Sequence, residues 1–448
     1  MNGTTSTLPL RRPLPPGPPL AALQTVRYVR DPLGFYQWCA RRYGDIFTFR
    51  SLEGPMVVTS SPEGIRAIFS ADPDTFGVHR AEIFGLLVGK ESVSSLEGTK
   101  HKVERKLLAP AFHGARLRAY GDVMRDIAAR AARGLPRSAP FLVEPFLYGI
   151  GLEVVIRTVF GITDPGRVRE VSGLATELVA VATRHPFMLY LKELRRDLFG
   201  VGPWARFRRA QRRLDAFLFA EIAARRAAGG AGDDILGLLL AARYDDGATM
   251  SDQAVRDELM TLLFAGYETT VITMEWMVYL LHSHADALAR LREELSGLGP
   301  DPDSEAIAAL PYLDAVCQET LRMFPAGFEL NRVLKRPLTV QGYDLPAGMV
   351  VDVCPALVHG REDIFPEPHR FRPERFLSQS YTPFQFVPFG GGARRCIGAA
   401  FTVYETKMVI ATLLGTCRLR LTTDGPVRAV RKHFVMAPDR PVELAFDA

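Results

Sequence analysis

Apolar and polar positions alternate in two short stretches near the N-terminus and then follow a helical spacing over most of the chain. Residues 45–50 and 55–60 alternate with a period of two, and Glu53-Gly54 between them is a turn signal. This pattern predicts a β-hairpin. From residue 62 to residue 336 the apolar positions recur with helical periodicity, so this long stretch is predicted to be mainly helical.

A second mixed stretch covers residues 338–353 and predicts short strands that turn at Gly342 and at residues 346–348. One more strong helix is predicted over residues 397–414, with strand-like pieces after it. The predicted fold class is therefore mainly α with a minor β region.

The N-terminal residues 1–19 are rich in proline, which excludes a helix and predicts an extended, flexible arm. No internal repeat or low-complexity linker interrupts residues 20–448. We therefore expect a single domain over that range.

The predicted helix over residues 251–283 is long and apolar nearly all round, which is typical of a helix buried in a large core. Ser251 is a suitable N-cap. Its middle reads Ala-Gly-Tyr-Glu-Thr-Thr at residues 265–270, where Gly266 costs about 1 kcal/mol relative to alanine. A carboxylate buried at Glu268 would cost more still without a partner. Such costs indicate a functional role.

Composition and charge limit the possible functions. The net charge of +5 is mildly basic, and no nucleic-acid reader motif accompanies it, so nucleic-acid binding is not expected. Basic residues gather at Lys100–Lys106 and at Arg394-Arg395. The N-terminus lacks the apolar core of a signal peptide, and no run approaches the roughly 20 apolar residues of a membrane span. We expect a cytoplasmic protein without a membrane anchor.

The five cysteines are scattered and include no Cys-x-x-Cys pair, which argues against a disulfide framework and a structural zinc site. An isolated cysteine is most often a small buried residue. Cys396 differs because three glycines precede it at residues 390–392 and a predicted helix follows it. The positive end of that helix, together with Arg394, would lower the pKa of the thiol and favour the metal-binding thiolate.

The spacing Phe-x-x-Gly-x-Arg-x-Cys-x-Gly at residues 389–398 resembles the haem-binding signature of the cytochrome P-450 superfamily. The Ala-Gly-x-Glu-Thr-Thr sequence at residues 265–270 is similar to the oxygen-activating helix of that family. Glu-x-x-Arg at residues 319–322 and Pro-Glu-Arg-Phe at residues 373–376 are similar to two further family motifs. The resemblance covers residues 20–448 and implies the cytochrome P-450 fold, with the haem between a long central helix and the helix after the cysteine.

The resemblance assigns roles to the residues of these motifs. Cys396 would ligate the iron of haem b. Glu319, Arg322 and Arg375 would form a buried, charge-paired cluster; on the residues alone, a solvated surface pair is the favoured interpretation of Glu319 and Arg322. The other positions implied in haem binding are His101, Arg105, Arg332 and Arg394 for the propionates, and Phe389 and Gly398 in the cysteine segment.

Glu268 and Thr269 are the catalytic residues that the resemblance implies. Thr269 would hydrogen-bond the dioxygen, and Glu268 would relay protons from solvent. The alternative for Thr269 is a hydroxyl that bonds only to the carbonyl four residues earlier in its own helix.

The family's substrate-lining positions are apolar in this sequence, which implies a hydrophobic substrate. Fatty acids, terpenoids, steroids and polyketide-like scaffolds all qualify, for hydroxylation or epoxidation. The candidate lining residues are Ile83, Phe84, Leu87, Phe264, Ala265, Phe328 and Phe434.

The implied activity is that of a monooxygenase that inserts one atom of O2. The chain contains no flavodoxin-like or iron–sulfur extension, so electrons from NAD(P)H would arrive through a separate ferredoxin or flavodoxin-type donor that docks on the basic proximal face of a monomer. Two alternatives are a haem-thiolate protein that binds gas or ligand without turnover, and a relative that uses peroxide. The pair Glu268-Thr269 argues against both.

Overall fold

The computed structural model describes residues 13–51, 54–196, 200–230, 232–299, 301–432 and 435–447. These residues form two compact units, each built from separate parts of the chain. Unit 1 comprises residues 1–79, 327–369 and 381–396. Unit 2 comprises residues 80–326, 370–380 and 397–448.

Helices account for most of the described residues, as the apolar spacing predicts. None of the described helices combines the length and the apolarity that crossing a bilayer requires. The α-helices are α1 Ala21–Arg30, α2 Pro32–Tyr43, α3 Pro62–Phe69, α4 Ala81–Leu87, α5 Gly98–Leu108, α6 Gly114–Arg133, α7 Val143–Val159, α8 Pro165–Arg184, α9 Phe187–Tyr190, α10 Pro203–Ala227, α11 Ile235–Ala241, α12 Asp252–Gly266, α13 Glu268–Ser283, α14 Ala285–Ser296, α15 Ser304–Ala308, α16 Pro311–Met323, α17 Pro355–His359, α18 Glu374–Ser378 and α19 Ala399–Thr416.

The strands are short and form four small sheets. Three of them, β3, β4 and β5, lie inside the stretch predicted to be helical; strand pairing in the folded chain prevails there over the local spacing. The strands are β1 Ile46–Ser51, β2 Gly54–Thr59, β3 Phe76–Gly77, β4 Phe141–Leu142, β5 Arg332–Leu334, β6 Leu338–Val340, β7 Tyr343–Leu345, β8 Val350–Val353, β9 Leu419–Leu421, β10 Ala429–Lys432, β11 Val435–Pro438 and β12 Glu443–Phe446.

Unit 1 is organised around a five-stranded sheet with the order β1-β2-β8-β5-β3. The predicted hairpin is confirmed, since β1 and β2 pair antiparallel from Ile46 opposite Thr59. Strand β8 then pairs parallel with β2, with Val350 opposite Met56. The turns between β6 and β7 and between β7 and β8 lie at Gly342 and at residues 346–348, as predicted. Buried apolar side chains such as Ile65 pack together beneath this sheet.

The proline-rich segment attaches to the edge of this sheet. Thr48 of β1 donates its N–H to the carbonyl of Pro16, at 2.9 Å, and its hydroxyl to the carbonyl of Pro15, at 2.6 Å. Residues 15–18 are thus held against β1, which differs from the flexible arm expected over residues 1–19. Residues 1–12 lie outside the described part of the chain.

Unit 2 is mainly helical, with α7 packed against α13 and α6 packed against α19. Trp276 of α13 is fully buried and stacks on Phe324, with the ring centroids 3.8 Å apart. Its indole N–H donates to the carbonyl of Met436 in β11, at 3.1 Å. The small sheets of unit 2 are thereby joined to its helical core.

Candidate functional site

The cysteine segment of unit 1 is a tight loop closed by its own backbone. We call residues 389–396 the cysteine loop. The N–H of Cys396 donates to the carbonyl of Phe389 at 2.9 Å, and the backbone between them passes through positive φ at Gly390 and Gly392. Glycine tolerates that conformation without steric cost, which explains why glycines lie here. Phe389 itself is half-buried.

The cysteine loop packs against the end of α3 so closely that no side chain fits between them. A Cβ at Gly391 would lie 2.1 Å from the ring of Phe69, and one at Gly392 would lie 2.4 Å from the Phe69 carbonyl oxygen. Both distances are far below van der Waals contact. The loop conformation is therefore fixed by packing inside unit 1.

Cys396 is the exposed member of the five cysteines; the other four are buried. Burial raises the pKa of the thiols of Cys39 and Cys317 to about 12, so these two stay protonated and poorly reactive at neutral pH. An accessible thiol held in a rigid loop suits metal ligation, as the sequence predicts. The thiolate itself is the form that binds a metal.

Two guanidinium groups lie together in unit 1. Arg332 donates to the carbonyl of Gly391 at 3.4 Å, which places it against the cysteine loop. Burial, and secondarily the charge of Arg394, lowers the pKa of Arg332 to about 10, and no acidic residue among those described offsets this shift. Like charges in a partly buried place are stabilised by an anion. Carboxylates such as haem propionates fit this requirement.

Gly398 precedes α19 in unit 2, and its carbonyl accepts a hydrogen bond from the N–H of Thr402, at 2.8 Å. A Cβ at Gly398 would meet no heavy atom within 4 Å. The backbone is therefore open on that side, which fits the close approach of a flat group.

The long helix predicted over residues 251–283 is interrupted at Tyr267, where α12 ends and α13 begins. Ser251 caps α12 as predicted, accepting from the N–H of Ala254 at 3.0 Å. At the interruption, Thr269 donates its hydroxyl to the carbonyl of Ala265, at 2.8 Å, and Thr270 donates to the carbonyl of Gly266, at 2.9 Å. Hydroxyls that bond to backbone carbonyls in this way distort helices.

Glu268 and Thr269 occupy the first turn after this interruption. Both are half-buried, so Glu268 is not the fully buried carboxylate that the apolar sequence around it predicts. Burial raises the pKa of Tyr267 and of Tyr148, and the charge of Glu268 is the second cause of both increases. The Glu268 carboxylate therefore lies near both phenols. The pair thus combines partial access to solvent with a distorted helix.

His101 and Arg105 lie on α5 in unit 2, one turn apart. His101 is buried and Arg105 is half-buried, whereas the lysines at 100, 102 and 106 are exposed. Between them, Glu104 is buried and accepts a hydrogen bond from the hydroxyl of Tyr244, at 2.5 Å. The helix therefore separates its inner His101 and Arg105 from a solvated lysine face.

The cluster of Glu319, Arg322 and Arg375 lies in the interior of unit 2. Arg322 contacts Glu319 through two hydrogen bonds of 2.7 and 2.9 Å, and the Arg375 Nε lies 3.0 Å from the same carboxylate. The backbone N–H of Arg372 adds a further bond of 3.0 Å. All three side chains of the cluster are buried. The predicted charge-paired cluster is present, and the surface-pair alternative is excluded.

The candidate substrate residues fall in different environments. Five of them lie in unit 2. On α4, Phe84 is exposed while Ile83 and Leu87 are half-buried. Near the end of α12, Phe264 is half-buried and Ala265 is exposed. In contrast, Phe328 is buried in unit 1, and its ring packs 5.9 Å from that of Tyr36. Phe434 lies outside the described residues.

The sequence did not predict the clasp, a pair of hydrogen bonds that holds the segment after α4 to α12. We call residues 89–93 the clasp segment. Asp257 accepts from the N–H of Glu91 at 3.0 Å, and Glu258 accepts from the N–H of Val93 at 2.6 Å. Burial raises the pKa of Glu258 to about 8. Consecutive acidic residues in an otherwise apolar helix were the available signal.

Comparison with known proteins agrees with these features. The Cytochrome P-450 family model matches residues 12–446. Two Mycobacterium tuberculosis proteins named as cytochromes P-450 135B1 and 137 are 36% and 33% identical to this chain, over 99% and 91% of it and over 92% and 84% of their own lengths. The solved structure of a cyanobacterial CYP120A1 with retinoic acid bound is similar at a TM-score of 0.84 and 27% identity, covering 97% of this chain and 99% of that one. The predicted mainly α fold class is thereby confirmed.

Proposed function

The chain belongs to the cytochrome P-450 family, and on that premise we propose that it inserts one atom of O2 into a hydrophobic substrate by hydroxylation or epoxidation. Family membership implies haem b with a cysteine thiolate ligand, O2 as co-substrate, and electrons from NAD(P)H delivered by partner proteins. A thiolate-ligated haem supplies the cleavage of the O–O bond. In this sequence the ligating position is Cys396.

One observation carries the proposal of monooxygenase turnover: the interruption at Tyr267 with Glu268 and Thr269 directly after it. O–O cleavage consumes protons, and Thr269 holds one at its hydroxyl. Glu268 is half-buried and directly precedes Thr269, and we assign to its carboxylate the role of replacing that proton. A protein that only bound a gas would have no use for this acid–alcohol pair.

We assign the haem propionates to His101, Arg105, Arg332 and Arg394 and the haem surroundings to Phe389 and Gly398. The low pKa of Arg332 and the open side of Gly398 support these roles. Cationic donors match carboxylates in both charge and hydrogen bonding.

The substrate belongs to an apolar class such as a fatty acid, terpenoid, steroid or polyketide-like compound. Phe84 and Ala265 expose apolar surface on unit 2, which suits contact with such a molecule. The similar CYP120A1 is described with retinoic acid bound, an apolar molecule with one carboxylate. We therefore place retinoids and other carboxylated terpenoids first among the compounds to test.

Electrons reach the protein from a ferredoxin or flavodoxin-type donor that binds the monomer in the cytoplasm. Arg395 is exposed next to Cys396 in the chain, and such donors are acidic. Exposed positive charge would steer the encounter, so the rate of reduction should fall as the salt concentration rises.

The decisive experiment supplies purified protein with a surrogate donor, isotopically labelled dioxygen and compounds that shift its spin state. Incorporation of one labelled atom into the product supports the proposal. Product formed only with added peroxide would support a peroxide-using enzyme, and a spectral response without product would support a binding protein. Cys396→Ala serves as the control, because it should lose the red-shifted band of the reduced carbon monoxide complex.

A further inference from the structure

Helix α1 of unit 1 places two polar side chains, those of Gln24 and Tyr28, on its inward face. Gln24 is only 2% exposed, and its side chain donates to the carbonyl of Pro18 at 2.6 Å and accepts from the N–H of Arg50 at 2.8 Å. Tyr28 donates its hydroxyl to Glu329 at 2.7 Å. The helix is therefore attached to unit 1 through these hydrogen bonds and through the ring of Tyr28, whose centroid lies 4.8 Å from that of Phe49.

The opposite face of α1 is apolar and points to solvent. Leu20, just before the helix, is 64% exposed, and Leu23, Val26 and Val29 are 50%, 64% and 59% exposed. Single exposed aliphatic residues are ordinary on protein surfaces, but three on one short helix and a fourth directly before it are not. These four side chains form an outward stripe that is suited to contact an apolar surface outside the protein.

Two positive charges lie near the C-terminal end of the stripe, just before Asp31. The ten residues of α1 include no acidic side chain, while Arg27 and Arg30 in its last turn are both exposed. The guanidinium of Arg27 lies 5.3 Å from the ring centre of the half-buried Trp38 in α2. An aliphatic stripe with arginines and a tryptophan beside it is the side-chain arrangement of helices that lie in a membrane interface.

The size of the stripe favours a bilayer over a protein partner. Four aliphatic side chains offer roughly 100 Å² each at most, and a stable protein interface needs about 800 Å² from each partner. A lipid surface has no such threshold, because apolar insertion and attraction to anionic headgroups add together. We propose that unit 1 docks on an anionic lipid bilayer through the outward face of α1, which lies in the headgroup region without spanning it.

Sedimentation with vesicles tests this proposal on the full-length haem protein. Vesicles of phosphatidylcholine alone are compared with vesicles containing about one-third phosphatidylglycerol, at low and high salt. The apolar variant is Leu23→Gln/Val26→Gln/Val29→Gln, and the charge variant is Arg27→Gln/Arg30→Gln. The control variant is Phe219→Gln/Leu142→Gln/Val430→Gln, whose three residues are 36% to 44% exposed and lie outside α1. Circular dichroism and the carbon monoxide spectrum check that each variant is folded.

The wild type and the control variant should bind the anionic vesicles. The apolar variant should bind at least about tenfold more weakly, and the charge variant should lose about tenfold together with most of the salt dependence. The proposal is overturned if the wild type does not bind, or if the apolar variant binds as the wild type does. It is also overturned if the wild type is a dimer that the apolar variant makes monomeric, since the stripe would then be a self-association surface.

Discussion

The hydroxyl of Thr269 donates its one proton to the carbonyl oxygen of Ala265, 2.8 Å away. A threonine hydroxyl has a single donor and two acceptor lone pairs, so its lone pairs remain available in this arrangement. Thr269 can therefore accept a hydrogen bond without leaving its helix, and it must turn away from Ala265 to donate elsewhere. The bond to Ala265 thus fixes the orientation of the hydroxyl until it donates to another acceptor.

Thr269→Val keeps the shape of the side chain and removes the hydroxyl. We expect electron consumption to continue while product formed per NAD(P)H falls about tenfold, with hydrogen peroxide released instead, because the proton source is lost. Product, NAD(P)H and peroxide are measured in the same reaction. Thr269→Ser should retain coupling. A fully coupled Thr269→Val enzyme would rule out the proton role.

Arg332→Gln removes one of the two neighbouring guanidiniums of unit 1. If Arg332 binds a propionate, the loss of a charge-assisted hydrogen bond of about 1.5–3 kcal/mol should speed haem loss roughly tenfold to a hundredfold. Transfer of haem to an excess of apomyoglobin measures this rate. Arg332→Lys keeps the charge, so its rate of haem loss should fall between those of the wild type and Arg332→Gln. An unchanged rate in Arg332→Gln would show that the arginine serves only the cysteine loop.

Glu319→Gln should destabilise the fold strongly, because it leaves Arg322 and Arg375 buried without their shared carboxylate. The expected loss in the free energy of unfolding is about 3–5 kcal/mol. Urea denaturation followed by circular dichroism measures it. Glu374→Gln offers a matched control, since that carboxylate pairs with exposed Arg290 and should change stability by less than about 1 kcal/mol.

Glu258 makes stability depend on pH, with a sign fixed by its raised pKa. Because its pKa is about 8 in the fold and near 4.5 when unfolded, the protonated acid is favoured by folding. This contribution is fully present below pH 4.5 and is lost as the pH rises through 8. Each pKa unit corresponds to about 1.4 kcal/mol, so the total is a few kcal/mol.

Glu258→Gln should remove this pH dependence while still accepting the N–H of Val93. Denaturation measured from pH 5 to pH 9 should show the wild type losing stability relative to the variant. Amide exchange in the clasp segment should also be faster in the wild type than in the variant at pH 9. Equal exchange in both proteins would mean that the charge on Glu258 does not loosen the clasp.

Local features of the sequence predicted local features of the fold. Alternation and the turn at Glu53-Gly54 predicted the hairpin of β1 and β2, and Ser251 predicted the start of α12. The glycines of the cysteine loop permit positive φ angles, which the structure shows at Gly390 and Gly392. Each of these depends on the conformational preference of a few adjacent residues.

Features set by distant contacts were not predictable in this way. Helical spacing runs unbroken through residues 251–283, so the interruption at Tyr267 has no counterpart in the sequence pattern. The clasp joins Glu258 to Val93, which lies 165 residues away in the chain. The inward polar face of α1 likewise depends on Glu329, far along the sequence. A single sequence gives no direct sign of such pairings.

The strand order of unit 1 also determines when its strands can pair during synthesis. Because β8 pairs with β2, the edge of the newly synthesised β1–β2 hairpin has no partner until residue 353 has left the ribosome. Unpaired strand edges promote association with other chains, so the nascent protein is exposed to such association during this interval. The cysteine loop, which packs against Phe69, is completed later still. Haem insertion is therefore expected to follow translation.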